Sequence, residues 1–407
     1  MVLNGALFLL VCAAARAAAS GGDGPLLNGN FEQAPNRSQM NGSRVTGKYA
    51  IPHWKATGFV EYIECGAKQD HMVLVVPEGR HAVRLGTESS IEHQLSVTRG
   101  KYYSVTFSAA RTCAQSEKLR VSIVPGDVSG GELPVQTVYT SSGWDSYAWA
   151  FKAQQGVVSL IIHHGDDQVD DPACGPIVDA VAIRMLNPPH ATHRKIHTIS
   201  FTISTKSHYV TDFLLLYACM TCAENMLING DFEEGPYMTP GSPWGVLVPP
   251  MDEDATSPLP GWAIMSHSKV VKYIDAAHFR VPHGSRAVEL VAGVEVALLQ
   301  EVATVPGRSY RLQFSVGDAG NRCAASPMSV QVATAYGSKR VSYESHGTGG
   351  HVRDKLDFKA EGNSTRVVFY STGYHTASDR SGTLCGPVVD DVSLVSVSHP
   401  HARRLLR

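Results

Sequence analysis

The sequence of 407 residues has no surplus of either charge and few charged residues of any kind. Lysine and arginine total 35 against 37 for aspartate and glutamate, and charged residues make up 18% of the chain. A protein that binds nucleic acid by neutralising phosphates needs a surplus of basic side chains. The charge balance therefore argues against that class of function, whereas 43% hydrophobic residues are enough for sizeable folded cores.

Sequence motifs of several enzyme classes are also missing. The chain has no GxSxG, no P-loop, no HExxH and no GxGxxG between a strand and a helix. We therefore predict a protein that is not an enzyme and has no catalytic residue. The two carboxylates of a glycosidase have no fixed spacing in sequence, so a glycan hydrolase or lyase is kept as the alternative, together with a purely structural or partner-docking role.

Long apolar runs are confined to the first twenty residues, MVLNGALFLLVCAAARAAAS. The run at 7–15 is too short for a membrane span, Arg16 interrupts it, and a small-residue cleavage motif follows at 17–19. Although no Lys or Arg precedes the run, the pattern predicts a signal peptide at residues 1–19 and a secreted mature chain. Three N-x-S/T sequons agree with this route as N-glycosylation sites: Asn36, Asn41 and Asn363.

The most informative feature that is present is an internal repeat of about 165 residues. LLNGNFEQAP at 26–35 returns as LINGDFEEGP at 227–236, and CGPIVDAVAI at 174–183 returns as CGPVVDDVSL at 385–394. The motifs between them return in the same order. This period is too long for a solenoid of short units, so we predict two globular copies, at residues 24–190 and 224–397.

Each copy has the pattern of an all-β domain. Tyr103, Val105 and Phe107 alternate with other residues along one predicted strand, and a second alternation runs through 147–151. Glycine, proline and asparagine separate such runs at short intervals, and no stretch after the leader keeps a helical periodicity over three turns. The pattern predicts a jelly-roll β-sandwich in each copy.

Two segments fall outside the repeat. Residues 191–223 match neither copy and contain an apolar run and the pair Cys219-x-x-Cys222. They are either a real linker or insertion, or an artefact of the gene model such as translated intron, and their mismatch with the rest of the chain favours the artefact. Residues 398–407 form a basic tail that we predict to be disordered.

Four cysteines recur at matched positions in the two copies. Cys113 and Cys174 are 61 residues apart, and Cys323 and Cys385 are 62 apart. Equal spacing in the duplicated domains of a secreted chain predicts one disulfide per copy, Cys113–Cys174 and Cys323–Cys385. Cys65 has no counterpart in the second copy, and its role stays open.

The copies also share carboxylates in their first and last predicted strands: Glu32 with Glu233, and Asp179 with Asp390. A jelly roll brings its terminal strands together, so the two carboxylates of each copy can converge on a cation that prefers oxygen ligands. We predict a structural calcium in each copy, bound more tightly in the second because two further aspartates lie there. Ordinary hydrogen-bonding carboxylates are the alternative, and no other cofactor is predicted.

Trp144 and Tyr147 are candidates for glycan contact. They lie in the turn-rich segment SSGWDSY, which the second copy replaces with glycines and an aspartate. Flat aromatic faces can stack on sugar rings, and a loop that differs between copies is where specificity can reside. The hypothesis is that the first copy makes the main glycan contact through these two residues, with core packing as the alternative.

The motifs NGNFE…CGPIVDAVAI and NGDFE…CGPVVDDVSL, with FSAARTCAQ and WGVLVPP, resemble the domain-of-unknown-function 642 family of secreted plant cell-wall proteins over residues 24–190 and 224–397. The resemblance implies two tandem galactose-binding-like jelly rolls, and association with wall polysaccharide and pectin methylesterases. We therefore predict a secreted, non-enzymatic cell-wall protein that binds wall polysaccharide, a pectin methylesterase or both, with no nucleic-acid or membrane partner.

Overall fold

The computed structural model describes residues 23–69, 72–113, 117–126, 132–136, 143–165, 173–187, 225–241, 243–250 and 256–397. Their regular structure is β-strand, apart from two 3-10 turns at Arg37–Gln39 and Gly293–Glu295. Within these ranges no helix is long and apolar enough to cross a membrane. The predicted signal peptide, the segment 191–223 and the basic tail lie outside the described residues.

The alternating patterns of both copies form strands, which are named here in chain order. The strands of the first copy are β1 (Gly24–Pro25), β2 (Met40–Asn41), β3 (Arg44–Val45), β4 (Trp54–Thr57), β5 (Val60–Glu64), β6 (Lys68–Gln69), β7 (Met72–Val73), β8 (His81–Leu85), β9 (Ser90–Ser96), β10 (Tyr102–Ala110), β11 (Glu117–Val124), β12 (Glu132–Val135), β13 (Asp145–Lys152), β14 (Val157–His164) and β15 (Ile177–Leu186). The strands of the second copy are β16 (Val246–Val248), β17 (Ala263–Met265), β18 (Val271–Asp275), β19 (Arg286–Glu289), β20 (Ala297–Ala303), β21 (Ser309–Asp318), β22 (Ala324–Thr334), β23 (Gly337–His346), β24 (Gly350–Lys359), β25 (Ser364–Ser371), β26 (His375–Thr376), β27 (Leu384–Cys385) and β28 (Pro387–Val397).

Each copy is a sandwich of two antiparallel sheets. In the first, β5-β8-β15-β10-β13 faces β12-β11-β14-β9-β4; in the second, β18-β19-β28-β21-β24 faces β17-β20-β25-β22-β23. Alternation explains the packing, because successive side chains of a strand point to opposite faces. Phe107 of β10 and Leu160 of β14 share the first core, and Phe314 of β21 shares the second core with Phe369 of β25. The all-β prediction of two tandem sandwiches is confirmed.

The equivalent tryptophans Trp54 and Trp262 anchor the two cores. Each is 1% exposed, and each donates its indole N–H to a backbone carbonyl at 2.9 Å, Asn28 in the first copy and Asn229 in the second. Burying an indole costs little when its N–H has a partner. The shared sequence motifs therefore correspond to a shared core.

The two sandwiches are joined through one continuous sheet. Strand β13 of the first copy pairs in parallel with β16 of the second, with Ser146 opposite Val246 and Tyr147 opposite Leu247, and the joined sheet has fourteen strands. Ala148 packs in the core of the second copy, and Leu247 packs in the core of the first. The copies thus share backbone hydrogen bonds and apolar contacts.

The corresponding edge at the other end of this sheet is built differently. Strand β24 is the counterpart of β13 and ends the fourteen-stranded order. It carries exposed charged side chains, including Arg353, Lys355 and Asp357, where β13 has serine and alanine. Charge on an edge strand discourages further strand pairing. The small residues of β13 therefore allow it to join the two copies, whereas the charged residues of β24 are suited to the edge of the sheet.

A buried ion pair bridges the same two strands in each copy, with the charges exchanged. In the first copy, Arg84 Nε donates to Glu61 Oε2 at 2.7 Å, across paired positions of β8 and β5. In the second, Lys272 Nζ lies 3.6 Å from Glu289 Oε2, across paired positions of β18 and β19. All four residues are buried. The position requires opposite charges but not their order, because an uncompensated buried charge is what destabilises the fold.

Candidate functional site

The outer faces of the large sheet, which point away from the sandwich cores, differ sharply between the copies. The first outer face consists of small residues on β10, β13 and β15: Ser104, Thr106, Ser108, Ala148, Ala150 and Ala182. The second outer face consists of long or polar residues on β21, β24 and β28: Arg311, Gln313, Arg353, Lys355, Asp357 and Ser393. Each set alternates with core residues of its own strands.

The first outer face is closed by the second copy. All six of its residues are buried. The crossing segment, residues 234–241 and 243–244, contacts the two ends of this face: Glu234 Oε2 lies 3.9 Å from Arg184 Nη2 of β15, and Trp244 Nε1 donates to Ser146 Oγ of β13 at 2.9 Å. Small residues are needed there because long side chains would hold the two sandwiches apart.

The crossing segment also approaches the carboxylates of the first copy. Burial and, next, the negative charge of Glu78 raise the pKa of the Tyr237 hydroxyl. The N–H of Asn187, at the end of β15, donates to Glu234 Oε1 at 3.1 Å. The first outer face is therefore an internal interface and has no room for an external ligand.

The second outer face is open, with charges of both signs held in order. Arg311 donates from Nε and Nη2 to the two carboxylate oxygens of Asp357 at 2.7 and 2.9 Å, and this pairing lowers the pKa of Asp357. Arg353 Nη2 donates to Asp391 Oδ2 at 2.6 Å. Lys355 is exposed and Gln313 lies opposite it across the strands. The donors and acceptors are held in rows that are separated by the distance between neighbouring strands. Such a regular array is suited to binding a polar polymer.

The glycan-contact hypothesis for Trp144 and Tyr147 is wrong on geometry. Trp144 is 4% exposed and donates its indole N–H to the Val75 carbonyl at 2.9 Å, in a small apolar cluster with Ile63 and Leu74. Tyr147 is 1% exposed and packs on Phe107 in the main core. Both rings are buried, each in a different apolar cluster, so neither presents a face to a sugar.

The predicted calcium ligands of the first copy lie in one acidic neighbourhood. Glu32 Oε1 accepts the backbone N–H groups of Arg80 and His81 at 2.6 and 2.8 Å. Asp179 is fully buried and accepts the N–H groups of Ala180 and Glu78 at 2.7 and 3.3 Å. Burial first, and then the negative charges of Glu78 and Glu32, raise the pKa of Asp179 well above its ordinary value. Sequence reasoning missed Glu78 as the third acidic group.

The second copy repeats this arrangement with different acidic neighbours. Asp390 is fully buried and accepts the N–H groups of Asp391 and His283 at 2.6 and 2.7 Å, and Glu233 Oε1 accepts from Arg286 at 3.1 Å. Burial raises the pKa of Asp390 to about 7, with Asp391 and Glu233 adding to the shift. His283 occupies the position of Glu78, and Asp391 is paired with Arg353. Asp231 Oδ1 also accepts the N–H of Glu233 at 3.4 Å. The order of calcium affinity between the copies stays a prediction.

These residues fit calcium by donor type and charge, because buried carboxylates that repel one another are stabilised by a hard cation. Within the described ranges, three carboxylate, imidazole or thiol ligand atoms lie mutually within 4.8 Å only at Cys113, Glu117 and Cys174, where the sulfurs are already bonded to each other. Calcium at either carboxylate pair would therefore also draw on backbone oxygens.

The structure joins the predicted cysteine pairs within each sandwich. Cys113 is bonded to Cys174, and Cys323 to Cys385. Cys65 is also disulfide-bonded rather than a free thiol. The asparagines of all three sequons are exposed, so each is accessible for glycosylation, which stays a prediction.

A sequence signal for the two outer faces was present and was missed. Motif alignment places Ala148 opposite Lys355 and Ser104 opposite Arg311. These exchanges of a small residue for a long charged one indicate a covered face in the first copy and an open face in the second. Interpreting them requires the orientation of each strand position, which the structure supplies.

The family model described as Protein of unknown function (DUF642) matches residues 24–184 and 225–395. Protein DUF642 L-GALACTONO-1,4-LACTONE-RESPONSIVE GENE 2 of Arabidopsis thaliana is 49% identical over 394 residues, covering 97% of each chain. Protein TEEBE, also of Arabidopsis thaliana, is 41% identical over 370 residues, covering 91% of this chain and 90% of that protein.

Solved structures give weaker matches. The CBM22-1-CBM22-2 tandem domain from Paenibacillus barcinonensis Xyn10C is 12% identical, with a TM-score of 0.27, and the match covers 94% of this chain and 100% of that one. TmCBM61 in complex with beta-1,4-galactotriose is 18% identical, with a TM-score of 0.28, and covers 43% of this chain and 100% of its own. These scores are too low to carry a functional argument.

Proposed function

Because this chain belongs to the DUF642 family, we propose that it is a secreted, non-enzymatic plant cell-wall protein that binds wall polysaccharide through its second outer face. The observation that carries the proposal is the contrast between the two outer faces. One is built of small residues and buried under the crossing segment, and its counterpart is exposed and lined by ordered polar side chains.

The second outer face has the groups that sugar hydroxyls require. Arg311 and Lys355 are donors, Gln313 and Ser393 donate and accept, and paired strands hold them in neighbouring rows. A polymer lying across β28, β21 and β24 would meet a donor or acceptor at each strand, about 4.8 Å apart. Polar groups fixed by a sheet lose little conformational freedom on binding.

Most acid groups of the structure favour binding over hydrolysis. Among the carboxyls with raised pKa, Asp179, Asp390 and Glu117 are buried and cannot reach a substrate, whereas Glu78 is half-buried beside Asp179. On the second outer face, Asp357 has a lowered pKa and is held by Arg311, so it stays ionised and is a poor proton donor. A glycosidase needs an accessible carboxylic acid beside a carboxylate.

Secretion and a structural calcium belong to the same proposal. A disulfide in each sandwich and three exposed sequons support an oxidising, exported environment. Calcium bound by Glu32 and Asp179, with Glu78 adding charge, would stabilise the first copy, and calcium at Glu233 and Asp390 would stabilise the second.

The test is a pull-down of the purified mature protein with pectin, xyloglucan and cellulose, with released reducing sugar measured in parallel. We expect binding to xyloglucan, cellulose or both, and no sugar release from any polymer. The Arg311→Ala/Lys355→Ala variant should lose most of the binding to xyloglucan and cellulose, whereas Arg366→Ala, on an exposed arginine of the opposite sheet, should keep it. Release of sugar, or full binding of xyloglucan or cellulose by the double variant, would contradict the proposal.

A pectin methylesterase, the partner that the family resemblance implies, is the second candidate occupant of this face. The observation that favours it is the mixed charge of the face, with Arg311–Asp357 and Arg353–Asp391 pairs that a protein of complementary pattern can meet. Capture of a purified esterase by the wild-type protein, lost in the same double variant and without any polysaccharide binding, would favour this partner instead.

A further inference from the structure

The first sandwich has a second polar site, away from both outer faces, at the end where β10 begins and β13 ends. An open depression of about 560 Å³ lies there, lined by Arg99, Gly100, Lys152, Ala153, Gln154 and Gln155. Lys101 follows in the chain and is exposed. Two guanidinium or ammonium groups and two amides therefore surround one concave surface.

Within the part of the chain that the structure describes, no salt bridge joins Arg99, Lys101 or Lys152 to a carboxylate. In contrast, other basic residues of the same sandwich, such as Lys118 and Arg120, are paired with Glu132. Lys152 Nζ lies over the ring of Tyr102, 5.4 Å from its centroid, which restrains the ammonium at the rim. The site is thus a local concentration of uncompensated positive charge.

The second copy shows that the fold does not need Arg99 or the two glutamines. Its backbone is held in the same way: Gly100 N–H donates to the Ala153 carbonyl at 2.7 Å, and Gly307 N–H donates to the Ala360 carbonyl at 2.7 Å. The tyrosine that closes the turn is equivalent too, with Tyr103 accepting from Thr98 at 2.9 Å.

The lining changes in part between the copies. Lys359 matches Lys152, but Pro306 occupies the position of Arg99, and Glu361 that of Gln154. The sequon asparagine Asn363 occupies the position of Gly156, so a glycan attached there would stand over the equivalent surface. Since the framework is kept while Arg99 and the amides are not, the stronger positive charge of the first copy has a role other than folding.

We propose that this depression binds the carboxylate groups of an acidic polysaccharide, with Arg99 and Lys152 meeting the carboxylate and Gln154 and Gln155 meeting neighbouring hydroxyls. Guanidinium and ammonium groups are the usual partners of carboxylates, and side-chain amides donate to and accept from hydroxyls. The open shape admits a polymer chain rather than an enclosed small molecule. The site is separate from the second outer face, so the two proposals can fail independently.

The experiment measures the affinity of the mature glycoprotein for an oligogalacturonide, for its methyl ester and for inorganic phosphate. The free acid should bind more tightly than the ester, with an affinity that falls as salt is raised, and tenfold excess phosphate should not displace it. Arg99→Gln/Lys152→Gln should weaken binding of the acid roughly tenfold, since each exposed charge pair contributes modestly.

The matched control is Lys118→Gln/Arg120→Gln, which removes the same number of charges from the same sandwich and should leave the affinity unchanged. The second-face variant Arg311→Ala/Lys355→Ala should also retain binding of the acid, which separates this site from the proposed function. Equal losses in the test and control variants, equal binding of acid and ester, or displacement by phosphate would each overturn the assignment.

Discussion

The buried ion pairs of the two sandwiches have opposite charge order. The order found in the second sandwich can therefore be introduced into the first to test whether charge neutralisation stabilises the fold. Arg84→Glu would place a second carboxylate beside Glu61 in a position where Arg84 is 4% and Glu61 8% exposed. Losing one partner of a buried pair costs about 3–5 kcal/mol. For a sandwich of this size that corresponds to a fall in melting temperature of roughly 6–20 °C.

The compensating variant is Glu61→Lys/Arg84→Glu, which reproduces the order Lys272–Glu289 at the same strand positions. It should recover at least half of the lost stability, because opposite charges again face each other. Full recovery is not expected, since Ser43 Oγ donates to Glu61 Oε1 and would lose its acceptor.

Calorimetry of the three proteins, with urea unfolding as a second probe, measures the effect. The control is Arg80→Glu, which reverses the charge of one partner in the exposed Arg80–Glu64 pair of the same sandwich. It should change the melting temperature little. If Arg84→Glu is as stable as the wild type, or if the double variant is no better than the single one, the pairs do not act through charge neutralisation.

Three further predictions concern the sandwiches and their junction. Ala148→Lys, which inserts the second copy's residue into the shared interface, should split a single calorimetric transition into two because the copies lose their common packing; a single unchanged transition would contradict this. Without calcium, stability should fall as pH rises from 5 to 8, because the folded pKa of Asp390 is about 7 and the folded state therefore binds more protons than the unfolded one. Asp390→Asn or added calcium should flatten that slope, and a melting point that chelator and calcium leave unchanged would refute the calcium sites. Peptide mapping without reduction should recover both disulfides, and their reduction should cost about 4 kcal/mol each in the chain-entropy model; a link between the copies would refute the pairing.

The repeat and its alternating patterns were sufficient to predict two β-sandwiches and their cysteine pairs. Both are properties of short-range order: alternation places Phe107 and Val105 on one face, and equal spacing places Cys113 and Cys174 at matched positions. The approach of Glu32 to Asp179 was also predictable, because the terminal strands of such a sandwich are neighbours.

The roles of Trp144 and the two outer faces were not predictable in this way. A tryptophan in a turn-rich segment looks exposed, and only the contacts with Ile63 and Leu74 show that it is covered. The contribution of Glu78 to the acidic neighbourhood was missed because it lies on a loop between strands, outside the terminal motifs that were compared.

By itself the sequence determined the strands, the duplication and the cysteine pairs, since these depend on side-chain periodicity and on the similarity of the two copies. Tertiary structure decided which copy has an open face. The pairing of β13 with β16 brings Trp244 onto Ser146 and buries one outer face, while the equivalent face around Arg311 remains exposed. The physical reason is that burial at the junction depends on how the two sandwiches pack together, and that arrangement is set by contacts between residues about 100 positions apart, which no local pattern records.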